Sequence, residues 1–332
     1  MKWLRKFLVA TLVLLAGLVA AGWWWLERPL ALRGEQAEVS IEPGTPVREI
    51  VRLWVDAGVQ APPELLYQWF RWSGQARKIR AGSYEIGPGT SPRALLDKMV
   101  RGDETLENLR FIDGWTFRQV RQALTEAPHL KQTISVLSDE QVAKLLDLPD
   151  GVIEGRVFPD TYAYSRGVSD MTVLRRAVAA MTRRLDETWA SRVEGLPLPN
   201  PQAALVLASI VEKETGTASD RGRIAAVFVN RLKLGMPLQS DPTVIYGIGA
   251  RFDGNLRRTD LTTDTPWNTY TRAGLPPTPI SMPGLASLQA VVRPESTKAL
   301  YFVARGDGSS VFSENLDDHN RAVNQYQKGP RK

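Results

Sequence analysis

Apolar residues are spread along this chain in patterns that change several times. Residues 7–26 carry no charge, and Lys2, Arg5 and Lys6 stand just before them. These twenty residues match the length a helix needs to cross ~30 Å of hydrocarbon. An internal repeat follows. Val39-Ser40-Ile41-Glu42-Pro43-Gly44-Thr45-Pro46 returns as Tyr84-Glu85-Ile86-Gly87-Pro88-Gly89-Thr90-Ser91-Pro92, and a looser echo runs from Phe111 through Asp113-Gly114-Trp115-Thr116 to Val120. Each copy predicts a short strand, a tight turn, a capping hydroxyl and an amphipathic helix. In the first copy Ile50, Leu53 and Trp54 keep the i, i+3, i+4 spacing of a buried helix face.

Helical periodicity then dominates. A helix is predicted over 116–126, and Ser138 with Gln141 forms a capping-box pattern for another ending near Leu146. Ser169 is placed to cap a long helix to about Arg192, with Val173, Leu174, Ala177, Val178, Met181 and Leu185 on one side. After a Pro-rich joint, residues 201–211 read Pro-Gln-Ala-Ala-Leu-Val-Leu-Ala-Ser-Ile-Val, apolar on nearly every side, so this helix must be interior. Ser219 is the expected cap of the next helix, with Ile224, Val227, Phe228 and Leu232 inward and Gly235 as its stop. Repeated prolines between Met236 and Gly284 predict a long loop region, and such a loop in a compact domain is usually functional. A hairpin is expected across Gly306-Asp307-Gly308, then a last helix over 316–327 and a frayed basic tail. The fold class is α+β.

The 332 residues exceed one compact core and imply two modules. We expect an anchor over 1–26, a polar tether over 27–37, a strand–turn–helix module over 38–112 and a catalytic domain over 113–332. Trp23, Trp24 and Trp25 fall where the anchor would meet the far interface, as an aromatic belt does. The basic residues before the span predict a cytoplasmic N-terminus and an exported remainder, in place of a cleaved signal peptide. The single-pass protein is thus placed in the cytoplasmic (inner) membrane, with its catalytic part periplasmic. The chain has no cysteine, and its two histidines, His129 and His319, are far apart, so neither metal nor cofactor is expected. The net charge of +6 is scattered instead of forming a stripe, and nucleic acid is not an expected partner.

The candidate chemistry lies where the apolar helix runs into Glu212-Lys213-Glu214-Thr215. A carboxyl at the C-terminal end of a buried helix is desolvated and faces the negative pole of the dipole. Both effects raise its pKa toward that of a general acid. Gln239, Asp241, Tyr246, Asn268 and Tyr270 could bind sugar hydroxyl and acetamido groups or orient the acid. Asp241-Pro242 and Asn268-Thr269 read equally as turn starts. Glu154 and Asp160, in Glu154-Gly155-Arg156-Val157-Phe158-Pro159-Asp160-Thr161-Tyr162, suit a supporting role or a structural one, Asp160 as a turn cap. Periodicity does not choose between Glu212 and Glu214, because the helix is apolar all round.

Together these stretches resemble the YceG-like endolytic murein transglycosylases. The resemblance is carried by Ala208-Ser209-Ile210-Val211-Glu212-Lys213-Glu214-Thr215, Val227-Phe228-Val229-Asn230-Arg231-Leu232, the run 238–247, Asn268-Thr269-Tyr270, Gly274-Leu275-Pro276-Pro277, Pro283-Gly284 and Ala299-Leu300-Tyr301-Phe302-Val303-Ala304, and upstream by the run 154–162. It implies a substrate of peptidoglycan glycan strands, a LysM-like module in the repeat region, and cell-wall synthases as partners. It also implies cleavage of the MurNAc–GlcNAc β-1,4 bond with formation of a 1,6-anhydro-MurNAc end, and places the catalytic role on Glu212. Two rivals are a muramidase using Asp241 as second carboxylate and a non-catalytic scaffold. Against the scaffold stands the cost of keeping a glutamate at a buried position.

Overall fold

A computed structural model describes residues 2–148 and 150–327. The basic tail beyond Gln327, expected to fray, lies outside the described residues. The chain forms two compact units, one of residues 1–108 with 163–168, the other of residues 109–162 with 169–332.

The first unit begins with α1 (Lys2–Glu27), whose residues are all unburied and which is long and apolar enough to cross a membrane. Strand β1 (Ala31–Leu32) follows, then β2 (Ala37–Ile41) and α2 (Val47–Asp56). Next come β3 (Val59–Gln60), α3 (Pro63–Trp72), β4 (Gly82–Ile86) and α4 (Pro92–Arg101). β2 pairs antiparallel with β4, Val39 opposite Tyr84, and alternates buried Ala37, Val39 and Ile41 with exposed Glu38 and Ser40. The period-2 pattern sends one face into a core with Ile50, Trp54, Phe70, Leu95 and Met99. Both turns of the repeat are made by left-handed glycines, Gly44 at φ 86° and Gly89 at φ 93°.

Residues 27–37 do not form a tether. The Leu30 amide donates to the Thr90 carbonyl at 2.8 Å, and β1 pairs with β3, so the segment is stitched into the unit. Polarity misled here, because backbone pairing needs no apolar side chains. Residues 163–168 join through Arg166, whose guanidinium meets Glu107 at 3.0 Å and also Glu38. β5 (Leu106–Arg110) pairs with β6 (Thr161–Ser165).

In the second unit α5 (Phe117–Glu126) opens with a Thr116/Gln119 capping box, and α6 (Asp139–Leu145) with the expected Ser138/Gln141 box. α7 (Asp170–Ala190) is capped by Ser169. α8 (Pro201–Glu214) starts at Asn200, which accepts the Ala203 amide at 2.9 Å. Every residue of α8 from Ala204 to Val211 is buried, because α7, α9 (Arg221–Lys233) and α12 (Leu285–Val292) pack around it. The expected Ser219 cap is not used. α9 begins after Asp220, whose buried carboxylate instead takes the Ser310 amide at 2.7 Å. The expected loop region contains two short helices, α10 (Asp241–Ile248) and α11 (Arg258–Thr262). β7 (Tyr301–Ala304) and β8 (Ser310–Ser313) form the hairpin, and α13 (Leu316–Tyr326) packs on it.

Candidate active site

The end of α8 presents two glutamates that lie two residues apart, so they point about 200° apart around the axis. Their surroundings differ accordingly. Glu212 has a largely buried side chain, and its Oε2 accepts the Gly284 amide at 3.0 Å. Its Oε1 lies 3.9 Å from the Arg221 guanidinium. Asp113 and Gly114 close over the same side. A methyl group on Gly114 would come within 3.7 Å of Glu212 Cγ, and one on Gly284 would overlap the Asp113 carboxylate. Burial, and then the charge of Glu212, push the Asp113 carboxyl above its ordinary range. Exposed Lys213 donates to the Gly114 carbonyl at 3.3 Å.

Glu214 faces a different set of groups. Its Oε1 accepts the Ser240 hydroxyl at 2.7 Å. Burial drives its carboxyl up to about 7, aided by the charge of Asp241 and opposed by the Ser240 hydrogen bond. Ser240 is itself held rigidly. Its amide donates to Thr269 Oγ1 at 3.0 Å, and its carbonyl accepts from Thr243 Oγ1 at 2.7 Å. The residue before it, Gln239, adopts a left-handed φ of 54°. Such a conformation is uncommon outside glycine and persists only where neighbours enforce it. Here the Gln239 amide donates to the Thr269 carbonyl at 3.1 Å, and Arg231 donates to its Oε1 at 3.2 Å. Buried Arg231 also donates to the carbonyls of Leu300 (2.7 Å), Pro237 (3.1 Å) and Leu238 (3.0 Å). Asp241 is exposed at the start of α10, and its Oδ1 accepts the Tyr270 hydroxyl at 2.5 Å. Burial foremost, then Asp241, raises the Tyr270 phenol.

A cleft of about 760 Å³ is lined by Glu154, Lys213, Tyr246 and Trp267 among others. Buried Glu154 accepts the Phe117 amide through both oxygens, at 3.1 and 3.2 Å, and the Tyr246 hydroxyl at 3.3 Å. Desolvation lifts its carboxyl to about 7, against those hydrogen bonds. Tyr246 stands edge-on to Trp267 at 5.6 Å, and Trp267 Nε1 donates to Thr278 at 2.9 Å. The loop carrying Glu154 is docked through Gly155, at φ 77°, where any side chain would run into Pro279.

Of the residues singled out from the sequence, Gln239, Asp241 and Tyr270 come together around Ser240 and Glu214, while Tyr246 joins Glu154. Asn268 points into the protein. It is fully buried, its amide donates to the carbonyls of Asp260, Leu261 and Thr263, and its Oδ1 accepts the Tyr270 amide at 2.9 Å. Its side chain is spent closing the loop. Asp160 is exposed and accepts its neighbour Thr161's amide at 2.7 Å, the turn role. Ser240, Thr269, Asp113 and Gly284 were not singled out as site residues, although all four stand inside motifs that were. Small hydroxyl residues in loops carry no individual signal.

The YceG-like family pattern matches residues 39–325 of this chain. The chain belongs to the YceG-like family. The endolytic murein transglycosylase of Bacillus subtilis (strain 168) is 31% identical over 305 residues, covering 87% of this chain and 84% of that protein. The endolytic murein transglycosylase of Streptococcus pneumoniae serotype 2 (strain D39 / NCTC 7466) is 26% identical, covering 97% of this chain but 65% of its own length. Among solved structures, a YceG-like protein from Listeria monocytogenes superposes with a TM-score of 0.54 at 28% identity, over 86% of this chain and 98% of that one.

Proposed function

We propose that this protein is an endolytic murein transglycosylase that cuts the MurNAc–GlcNAc β-1,4 bond of nascent glycan strands and leaves a 1,6-anhydro-MurNAc end. The observation that carries this reading is Glu214. It is a carboxyl with a pKa of about 7, held by a rigid hydroxyl, at the end of a helix buried on all sides. The relatives named endolytic murein transglycosylases point the same way. In the first half Glu214 gives its proton to the glycosidic oxygen as the C1–O bond breaks. In the second half its carboxylate takes the proton from the C6 hydroxyl of the same muramic residue, whose oxygen bonds to C1. No water is consumed, and the acid is restored.

Family resemblance placed this role on Glu212. The surroundings favour Glu214, because Glu212 is tied to the Gly284 amide and neighbours Arg221, whereas Glu214 meets the Ser240 hydroxyl where burial raises its carboxyl to about 7. Glu212 then acts as a positioning residue that fastens the 284 loop to α8. Gln239, Tyr246, Asp241 and Tyr270 are proposed to contact sugar, with Glu154 supporting Tyr246. The repeat unit is proposed to be LysM-like and to bind glycan. α1 is proposed to anchor the protein in the cytoplasmic membrane with the catalytic unit outside, within reach of peptidoglycan synthases.

The test is digestion of purified peptidoglycan by wild type, Glu214→Gln and Glu212→Gln, with products identified by mass spectrometry. Anhydro-muramic ends from wild type and none from Glu214→Gln are expected. Acid–base assistance is worth about 10²–10⁴-fold, and one residue here serves both halves. Reducing muramic ends would instead identify a muramidase, with Asp241 as its second carboxylate. An active Glu214→Gln beside a dead Glu212→Gln would return the role to Glu212.

A further inference from the structure

The apolar surface that catalysis leaves unused lies on α3 of the first unit. Leu65, Trp69 and Trp72 stand at i, i+4 and i+7, hence on one helix face. Leu65 is 54% exposed and Trp72 79% exposed. The opposite face, with Leu66 and Phe70, is fully buried, and Trp69 is half-buried against the same core, so Leu65 and Trp72 form the exposed part of the stripe. Single exposed apolar residues need no explanation, but an aligned pair of large ones does.

What lies next to this stripe identifies its occupant. The Arg93 guanidinium sits 4.5 Å over the Trp23 ring near the end of α1 and 5.9 Å from the Trp69 ring of α3. Arg93 also pairs with Glu27 at 2.8 Å. Trp25 packs against the core of the first unit, and the chain just after α1 is stitched down by the Leu30–Thr90 bond and the β1–β3 pair. Arg28 stacks 4.9 Å over Trp24. The aromatic end of the apolar helix therefore continues, through one arginine, onto α3. Tryptophan favours the level of the lipid headgroups, and arginine there meets lipid phosphate.

We propose that α3 lies in the interface of the bilayer that α1 crosses, with Leu65 and Trp72 among headgroups and upper acyl chains. This rests on reading α1 as a membrane span. The span and α3 then form a two-point attachment that holds the first unit flat on the lipid surface, and glycan reaches it where strands emerge from the membrane.

The chain has no native cysteine, so one introduced thiol gives one labelled site. Full-length protein carrying a nitroxide at Leu65→Cys, or at Val13→Cys within α1, would be reconstituted in vesicles of phosphatidylcholine and phosphatidylglycerol. Collisions with lipid-soluble oxygen and with a water-soluble nickel chelate are then compared. Expected are several-fold oxygen-favoured collisions at Leu65, weakened by Trp72→Ser, and deep burial at Val13. A Leu65 label open to nickel with Val13 still in hydrocarbon would overturn the proposal while leaving the anchor. Both labels open to nickel would remove the anchor and this proposal together.

Discussion

Replacing Glu154 by glutamine should stabilise this protein at alkaline pH and leave it unchanged in acid. An ordinary glutamate titrates at 4.5, whereas buried Glu154 titrates at about 7. In the folded state the carboxyl therefore keeps its proton through a pH range where the unfolded chain has already lost it. The unfolded state binds fewer protons there, so stability falls as pH rises from about 4.5 to about 7 and is then level. At 1.36 kcal/mol per pH unit, the gap amounts to about 3 kcal/mol. The replacing glutamine carries no charge, can accept the Phe117 amide and can still meet the Tyr246 hydroxyl, so it keeps the bonds without the cost of ionising a buried group. Urea unfolding followed by tryptophan fluorescence, for wild type and Glu154→Gln at matched pH, gives the difference directly. Glu214 shares the same pH dependence in both proteins and cancels. The variant should match wild type near pH 4.5 and exceed it by up to about 3 kcal/mol near pH 8. A difference that does not grow with pH would refute the reasoning.

Other consequences are as direct. With Glu214 titrating at about 7, kcat/KM on glycan strands should decline as pH rises through that value, because the first proton transfer needs the acid form. A profile flat between about pH 6 and 8 would remove Glu214 from that role. Gly155→Ala meets both a left-handed φ of 77° and the Pro279 ring, so thermal melting should show a loss of about 2–4 kcal/mol, and an unaltered melting curve would mean the loop is not pinned there. Asn268→Ala leaves three carbonyls without their donor at about 1–3 kcal/mol for a buried group left unpaired. It should lower stability first, and full stability with weakened glycan binding would restore Asn268 as a substrate contact.

Much of the framework follows from local pattern alone. The uniformly apolar run before Glu212 could only be an interior helix, and Ser138 and Ser169 mark helix starts because a capping hydroxyl needs only residues two or three places on. The repeat is legible because Gly44 and Gly89 serve the same left-handed turn. Local signals fail where the partner is remote. The residues 27–37 look like a free polar tether, yet their amides and carbonyls are claimed by strands and turns elsewhere in the first unit. Asn268 looks like a cleft residue, and folding turns it inward to three carbonyls. The choice between the two motif glutamates is the sharpest case. They share a helix, a charge and nearly a position, so no property of the sequence near them separates their surroundings. Packing does: one side of α8 meets the Gly284 amide and Arg221, the other meets Ser240 in a desolvated pocket. A carboxyl's proton affinity is set by the atoms within a few ångströms of it, and at this helix end those atoms come from segments up to seventy-two residues away.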